Sequence, residues 1–427
     1  MNPVAVALKG KGPLNLVRRA MSIGRNYGVT PAKMDHAMQQ FTAILDRFGC
    51  GATFPVTATA LGRNPSVVRN YQRCGLEFAI HGYRHVDHCL LTQAEQQAQL
   101  ELARRLFERI GTQVQGFRGP YLHANLDTLG ALERQGLAYD SSQGLSWDVL
   151  DSHETPAYRH VLGFYGALSA SDYPSLPSLE GSLVRIPYSL PDDEALVHRL
   201  SLTTIDQMSA LWLAILRCSY ERGELFTLGL HPERIFTCQE PLVAVLSEAR
   251  QLDPPVWIVR LDEIAAWWRA RTEAAVGITD ATDGRFHLTV AGPSGTTVLA
   301  RAVEVDVPTA AWVDGYRQVN AMAFTVCASL RPFIGLSPVS SPNLVSFLCQ
   351  QGYLVEFGWE PSLYSYYFDQ AEFSAEDRRP LLAKIEKTGR PLVRLGRWPR
   401  GARSALVVTG DIDALTLWDY GLRILGR

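Results

Sequence analysis

The stretch Leu76-Glu77-Phe78-Ala79-Ile80-His81-Gly82-Tyr83-Arg84-His85 decides the reading of this chain. An apolar run of strand length ends at His81, and a second histidine follows four residues later. A strand that stops at His81 and turns into one helical turn sets both imidazoles on the same side, where they can grip one metal ion. Metal-assisted hydrolysis is the chemistry such a pair suggests. Spacing alone carries little weight. With 10 histidines in 427 residues, chance places two at this interval in roughly one chain in four or five. The flanking sequence therefore has to decide.

Outward from this stretch, residues 30 to 270 alternate helical periods with short apolar runs, the pattern of repeated β/α units. Met34 to Phe48 reads as a helix, Gly49-Cys50-Gly51 breaks it, and Ala52-Thr53-Phe54-Pro55-Val56 reads as a buried strand. Thr92-Gln93-Ala94-Glu95 is a capping box that opens a helix to about Ile110, and Asn125 caps another ending near Gly136. Further strands are predicted at Leu183 to Pro187, Glu224 to Leu230 and Val256 to Leu261. Asp262 and Glu263 then favour a helix start.

The character changes between Thr272 and Gly284. Phe286 to Val290 and Val298 to Val307, separated by Gly292-Pro293-Ser294-Gly295, read as a hairpin, so a smaller domain is expected near 276 to 400. It is predicted to include a helix at Ser341 to Gln351 and a strand at Tyr353 to Phe357. The tail returns to the earlier idiom: Ser404 to Thr409 is an apolar strand, Gly410-Asp411-Ile412-Asp413 ends it with two acids, and a helix follows from about Thr416. No solenoid repeat is present.

Composition narrows the function classes. A hydrophobic content of 47% supports sizeable cores, and a net charge of -2 gives no basic face for nucleic acid. No apolar run approaches the roughly 18 residues that span a bilayer, and the first residues lack the apolar stretch of an export signal, so a cytoplasmic location is expected. The seven cysteines are scattered and never spaced as C-x-x-C, which points to reduced thiols rather than a disulfide framework. Lys9, Lys11, Arg18, Arg19, Arg25 and Lys33 precede the first acid, Asp35. A solvated basic face is the simpler reading, with peripheral membrane contact as the alternative.

Downstream of the histidine pair stand Gly116-Phe117-Arg118-Gly119-Pro120-Tyr121, Tyr139-Asp140-Ser141-Ser142 with Trp147, and Leu230-His231-Pro232-Glu233. With these in place the chain resembles the polysaccharide deacetylases (NodB homology, carbohydrate esterase family 4). Their ordered motifs are an acidic strand end, His-[Ser/Thr]-x-x-His, Arg-x-Pro-aromatic, an Asp/Trp segment and a late Leu-x-His. Four of the five are matched across residues 76 to 235, in order, with Gly82 where Ser or Thr is common and Leu230 directly preceding His231. The first, Thr-Phe-Asp-Asp-Gly, has no counterpart between Met1 and Gly75. Val407-Val408-Thr409-Gly410-Asp411-Ile412-Asp413 has its shape at the other end of the chain. A circular permutation, with this last strand inserting beside Ala52 to Val56, is one explanation. The other is that Asp411 begins a second, truncated deacetylase domain.

The resemblance implies a distorted (β/α) barrel from residues 1–275, completed by 401–427 and interrupted by a smaller α/β domain at 276–400. It implies His81, His85 and Asp413 as ligands of a divalent metal, for which zinc is the first choice given two imidazoles and a carboxylate. Asp411 is implied as the base, His231 as the acid that protonates the leaving amine, and Arg118 as the group that holds Asp411 ionised. The Tyr121 backbone N–H is implied in oxyanion stabilisation and Trp147 as a wall of the acetyl pocket. The expected activity is removal of an N-acetyl group from an amino sugar or glycan. The alternatives are hydrolysis of another linear or cyclic amide and a non-catalytic carbohydrate-binding protein. Simpler readings stand beside these roles. His88 is expected at the surface or behind the ligands, His123 and His153 in ordinary loops, Glu233 in an ion pair, Asp140-Ser141-Ser142 in a strand-end turn, and both tail acids as helix caps.

Overall fold

The computed structural model describes residues 24, 26–150, 153–202 and 204–424. Of the basic N-terminal residues, Lys9, Lys11, Arg18, Arg19 and Arg25 lie outside the described residues. No helix among the described residues is long and apolar enough to cross a membrane.

A curled half-barrel sheet of nine strands organises the larger part of the molecule. In chain order these are β1 (Thr53–Val56), β2 (Glu77–Ile80), β3 (Gly116–Phe117), β4 (Tyr139–Asp140), β5 (Ser178–Glu180), β6 (Leu183–Arg185), β7 (Leu225–Gly229), β8 (Val256–Val259) and β9 (Ser404–Thr409). Their spatial order is β7-β9-β1-β2-β3-β4-β6-β5, with β8 also pairing with β9, and only β5 runs antiparallel to its neighbour. The residues of β1, β7 and β9 are buried throughout, as expected of parallel strands covered on both faces.

The last strand of the chain thus lies between an early and a late one. Five residues of β7 pair with β9, from Leu225 opposite Ala405 to Gly229 opposite Thr409. The far edge of β9 is shared, its first four residues taken by β8 and its end by β1, through Thr53 opposite Thr409 and a further bridge between Val56 and Ile412. Backbone bonds from Gly410 N to Thr53 O (3.2 Å), Ile412 N to Pro55 O (2.7 Å) and Thr57 N to Ile412 O (3.2 Å) fix the tail acids to β1.

The helices follow the capping chemistry. Gln93–Ile110 starts at a Thr92–Glu95 capping box and Leu126–Arg134 starts at Asn125. Beyond Leu261–Thr272 the chain builds two four-stranded antiparallel sheets and one three-stranded parallel sheet. The expected hairpin between Phe286 to Val290 and Val298 to Val307 does not form. Arg285–Ala291 pairs instead with Ala275–Asp280 and Ala323–Cys327, while Val298–Arg301 pairs with Tyr316–Val319 and Leu392–Leu395. The reason is burial. Val298–Arg301 is covered on both faces and belongs inside a sheet, whereas Arg285–Ala291 alternates in exposure. Hairpins are closed instead at Asp283-Gly284 and Asp314-Gly315, all four residues with positive φ, as tight turns of that composition require.

Candidate active site

Four functional segments meet where the parallel strands end. β2 delivers His81, the turn after β3 carries Arg118 and Tyr121, β7 runs into His231, and β9 ends at Asp411 and Asp413. Two glycines permit this convergence. Gly82 has φ +79°, and a Cβ there would lie 2.7 Å from the Arg84 carbonyl oxygen, so the Ser or Thr of the resembling family has no place. At Gly410 a Cβ would come within 1.8 Å of the Leu230 carbonyl oxygen, so only glycine lets the end of β9 pass the segment leading to His231.

The His81 Nδ1–H donates to the Arg118 carbonyl at 2.8 Å, which fixes the tautomer and leaves Nε2 as a lone pair. Nε2 of His81 and Nε2 of His85 lie 3.3 and 3.2 Å from Asp413 Oδ1. Ligands about 2.0–2.1 Å from a tetrahedral ion sit about 3.3 Å from one another, so these three groups fit one divalent metal. Their donor atoms all lie within 4.8 Å of each other. Burial, reinforced by the Arg423 guanidinium, lowers the His85 pKa to about 3, which keeps the imidazole neutral and able to ligate. Burial acts to raise the Asp413 pKa, but Arg423 and His85 outweigh it and hold the carboxyl well below the usual range. Arg423 comes from the helix Leu417–Ile424; it ion-pairs with Asp413, and its Nη2 donates to His85 Nε2 at 2.9 Å.

Asp411 stands beside this trio, with Oδ2 3.8 Å from His81 Nε2. Its Oδ1 accepts from Arg118 Nη1 at 2.9 Å. Burial opposes ionisation, yet His81, Arg118 and His231 together depress its pKa. Arg118 is itself fully buried, held by the Ser141 carbonyl (3.0 Å), Ser141 Oγ (3.1 Å) and Thr409 Oγ1 (3.0 Å), with its guanidinium over the Tyr188 ring. The segment Asp140-Ser141-Ser142 therefore buttresses Arg118, and Ser142 Oγ also accepts from Gly119 N.

His231 is held by Asp193, which neither motif nor spacing singles out. Nδ1–H of His231 donates to Asp193 Oδ1 at 2.6 Å and its backbone N–H donates to Oδ2 at 3.1 Å. Burial pulls the imidazole pKa down, but Asp193, Glu233 and Asp411 overcome it and push the value up to about 10. The signal for Asp193 is the acidic run Asp192-Asp193-Glu194 directly after the strand Tyr188–Leu190. A cavity of about 70 Å³ joins these groups. It is lined by His81, His85, Asp411, Asp413 and His231, with Tyr27, Tyr121, Tyr165, Tyr188 and Tyr420 as aromatic walls.

One expectation meets a different arrangement. Trp147 is not among the residues lining this cavity; it is buried, donating from Nε1 to Ser189 Oγ at 3.1 Å. His88 is fully buried against Phe117, with no hydrogen-bond partner for either ring nitrogen among the described residues, and feels the charge of His81, so of the two places expected for it the one found is behind the ligands and not the surface. His123 bridges Asp87 Oδ2 and the Phe164 carbonyl, both at 2.7 Å, while His153 is exposed. Tyr121 packs edge-on against His85 and has φ +63°, which turns the chain sharply after Pro120.

The strand ends of one α/β sheet thus gather two histidines, two aspartates and a buried arginine. Residues 28–139 match the family model described as polysaccharide deacetylase. It is 31% identical over 156 residues to the peptidoglycan deacetylase-like protein FGM2 of Gibberella zeae. That match covers 34% of this chain and 44% of the relative, so the chain spans less than half the length of the curated protein it matches. Among solved structures, a Mycobacterium smegmatis protein assigned as a polysaccharide deacetylase overlaps 57% of this chain and 81% of its own, with TM-score 0.44 and 23% identity. Puue allantoinase overlaps 55% of this chain and 72% of its own, with TM-score 0.44 and 22% identity.

Proposed function

We propose that this protein is a metal-dependent hydrolase that removes an N-acetyl group from an amino sugar or glycan. The observation that carries the reading is the 3.2–3.3 Å spacing of Asp413 Oδ1 from two imidazole Nε2 atoms, beside an aspartate held by a buried arginine. A divalent cation, zinc by preference, would be held by His81, His85 and Asp413. When bound it supplies Lewis acidity to the acyl oxygen and a water of lowered pKa. Asp411, kept ionised by Arg118, takes the proton of the attacking water. His231, kept protonated by Asp193, gives a proton to the amine, which leaves poorly without one. Tyr121 lines the cavity where the acyl group would lie. The proximity of both tail aspartates to the histidines favours this reading over a non-catalytic binding protein. Hydrolysis of another linear or cyclic amide is the second reading.

We read the strand order as a circular permutation of the deacetylase fold. The position of β9 between β7 and β1 supports it, since the tail acids then serve the same site as the histidines rather than a separate domain. Residues 1–275 and 401–427 form one barrel in this reading, and 276–400 a domain inserted before its last strand. The seven unpaired cysteines support a reducing, cytoplasmic setting. The test is amine release from N-acetylglucosamine oligomers with zinc or cobalt present. Asp411→Asn is expected to lose about a hundredfold or more of kcat with fold intact. Equal rates for the two proteins, or no release from any N-acetylated sugar, would overturn the proposal.

A further inference from the structure

A second cavity, about 550 Å³, lies at the other end of β7 from His231, where Glu221 to Glu224 meet the domain of residues 276–400. Its volume falls within the range of small-molecule sites. The wall is cationic. Six Arg or Lys side chains line it against four carboxylates. Its innermost part is more unbalanced than that count suggests.

Arg394 and Arg397 are both buried and adjacent, and a single carboxylate, Glu386, serves Arg394 together with Arg301. Arg397 has no ion pair among the described residues. Its guanidinium donates only to neutral acceptors, Gln351 Oε1 at 3.0 Å and the Arg222 carbonyl at 3.1 Å. Arg271, behind it, likewise bonds only to the backbone carbonyls of Gln350 and Gly396. A buried guanidinium without a direct ion pair is costly, and an anion placed on its free donors would offset that cost. Burial and the neighbouring Arg394 work against the charged form of Arg397 and outweigh the more distant Glu386 and Glu224, a tension that a bound anion would relieve. Lys387 is exposed, and half-buried Trp312 lines the same cavity. Guanidinium groups offer the planar donor fork that phosphate oxygens accept, and an indole is the preferred surface for a sugar or base ring.

We propose that this cavity binds a small phosphate ester carrying a ring, with its phosphate on Arg397 and Arg394 and its ring against Trp312. The site is separate from the histidine cluster and does not depend on the reading given to it.

Calorimetric titration of the full chain with glucosamine 6-phosphate, AMP, inorganic phosphate and uncharged N-acetylglucosamine tests the proposal. The phosphate esters should bind saturably, inorganic phosphate more weakly, and the uncharged sugar not at this site. Arg397→Gln should weaken phosphate-ester binding about 30-fold or more. Lys387→Glu, at an exposed position that folding does not need, should weaken it about tenfold. His85→Ala should leave it unchanged, which separates this site from the metal cluster. Absence of binding by both esters, or equal binding by wild type and Lys387→Glu, would overturn the inference even if Arg397→Gln failed to fold.

Discussion

Replacing Asp193 by Asn removes one negative charge 2.6 Å from His231 Nδ1 while preserving size, so it isolates the electrostatic control of the proposed general acid. In the wild type that imidazole titrates at about 10, because Asp193, Glu233 and Asp411 overcome the burial that would lower it. Without Asp193, burial regains the upper hand and the pKa falls toward or below the ordinary histidine value of about 6.5. A fall of only two units, discounting for relaxation and water entry, corresponds to about 2.7 kcal/mol between the protonation states. The alkaline limb of kcat/KM should therefore move down by about 2 units in Asp193→Asn, and kcat at pH 9 should drop about tenfold. The assay is amine release from an N-acetylated sugar between pH 6 and 11, paired with an NMR titration of the His231 ring. A bound cation lowers the limb in both proteins, so the difference between them is the quantity read. The stability sign follows from the same shift. A histidine whose folded pKa is raised contributes stability that is fully present below about 6.5 and is lost as pH rises through about 10. Wild type should lose stability across that window and Asp193→Asn should lose far less. An unmoved alkaline limb, with the NMR pKa also unchanged, would refute the reasoning.

Other perturbations separate the remaining roles. Arg423→Ala removes a cation that competes for Asp413 and His85, so chelator-competition titration should show zinc affinity raised about 5- to 30-fold, as expected for losing 1–2 kcal/mol of opposing ion pairing; unchanged or weaker affinity would count against competition. Gly410→Ala forces a Cβ to 1.8 Å from the Leu230 carbonyl and should cost about 2–4 kcal/mol in chemical denaturation. Trp147→Phe loses the bond to Ser189 and should cost about 1–2 kcal/mol of stability, with KM for an acetylated sugar unchanged because the ring lies away from the cavity.

The elements around the histidine pair were legible because each carried local chemistry. The Thr92–Glu95 box, the Asn125 cap and the apolar strands ending at His81 and Gly410 are short-range signals, and they appear within a residue or two of where the sequence puts them. Arg118 was visible as the arginine of the Arg-x-Pro-aromatic motif, Arg118-Gly119-Pro120-Tyr121. Asp193, Arg423 and Tyr188 were not, because their importance comes from which strand ends meet, a long-range property with no spacing rule. Trp147 shows the converse. An aromatic beside a motif satisfies the pattern equally well in the cavity or in the core, and only packing distinguishes them. The misread hairpin has a similar origin: Gly292-Pro293-Ser294-Gly295 is a strong turn signal, but the burial of Val298–Arg301 on both faces requires neighbours from elsewhere in the chain.

The central claim is that one metal ion is held jointly by the histidine pair and by an aspartate more than 300 residues later in the chain. Metal content per chain, measured by plasma emission after zinc loading and exhaustive dialysis, tests it for wild type, His85→Ala and Asp413→Ala. The account predicts about one zinc per wild-type chain and a small fraction of that in each variant. Full occupancy in Asp413→Ala, or none in the wild type, would contradict it.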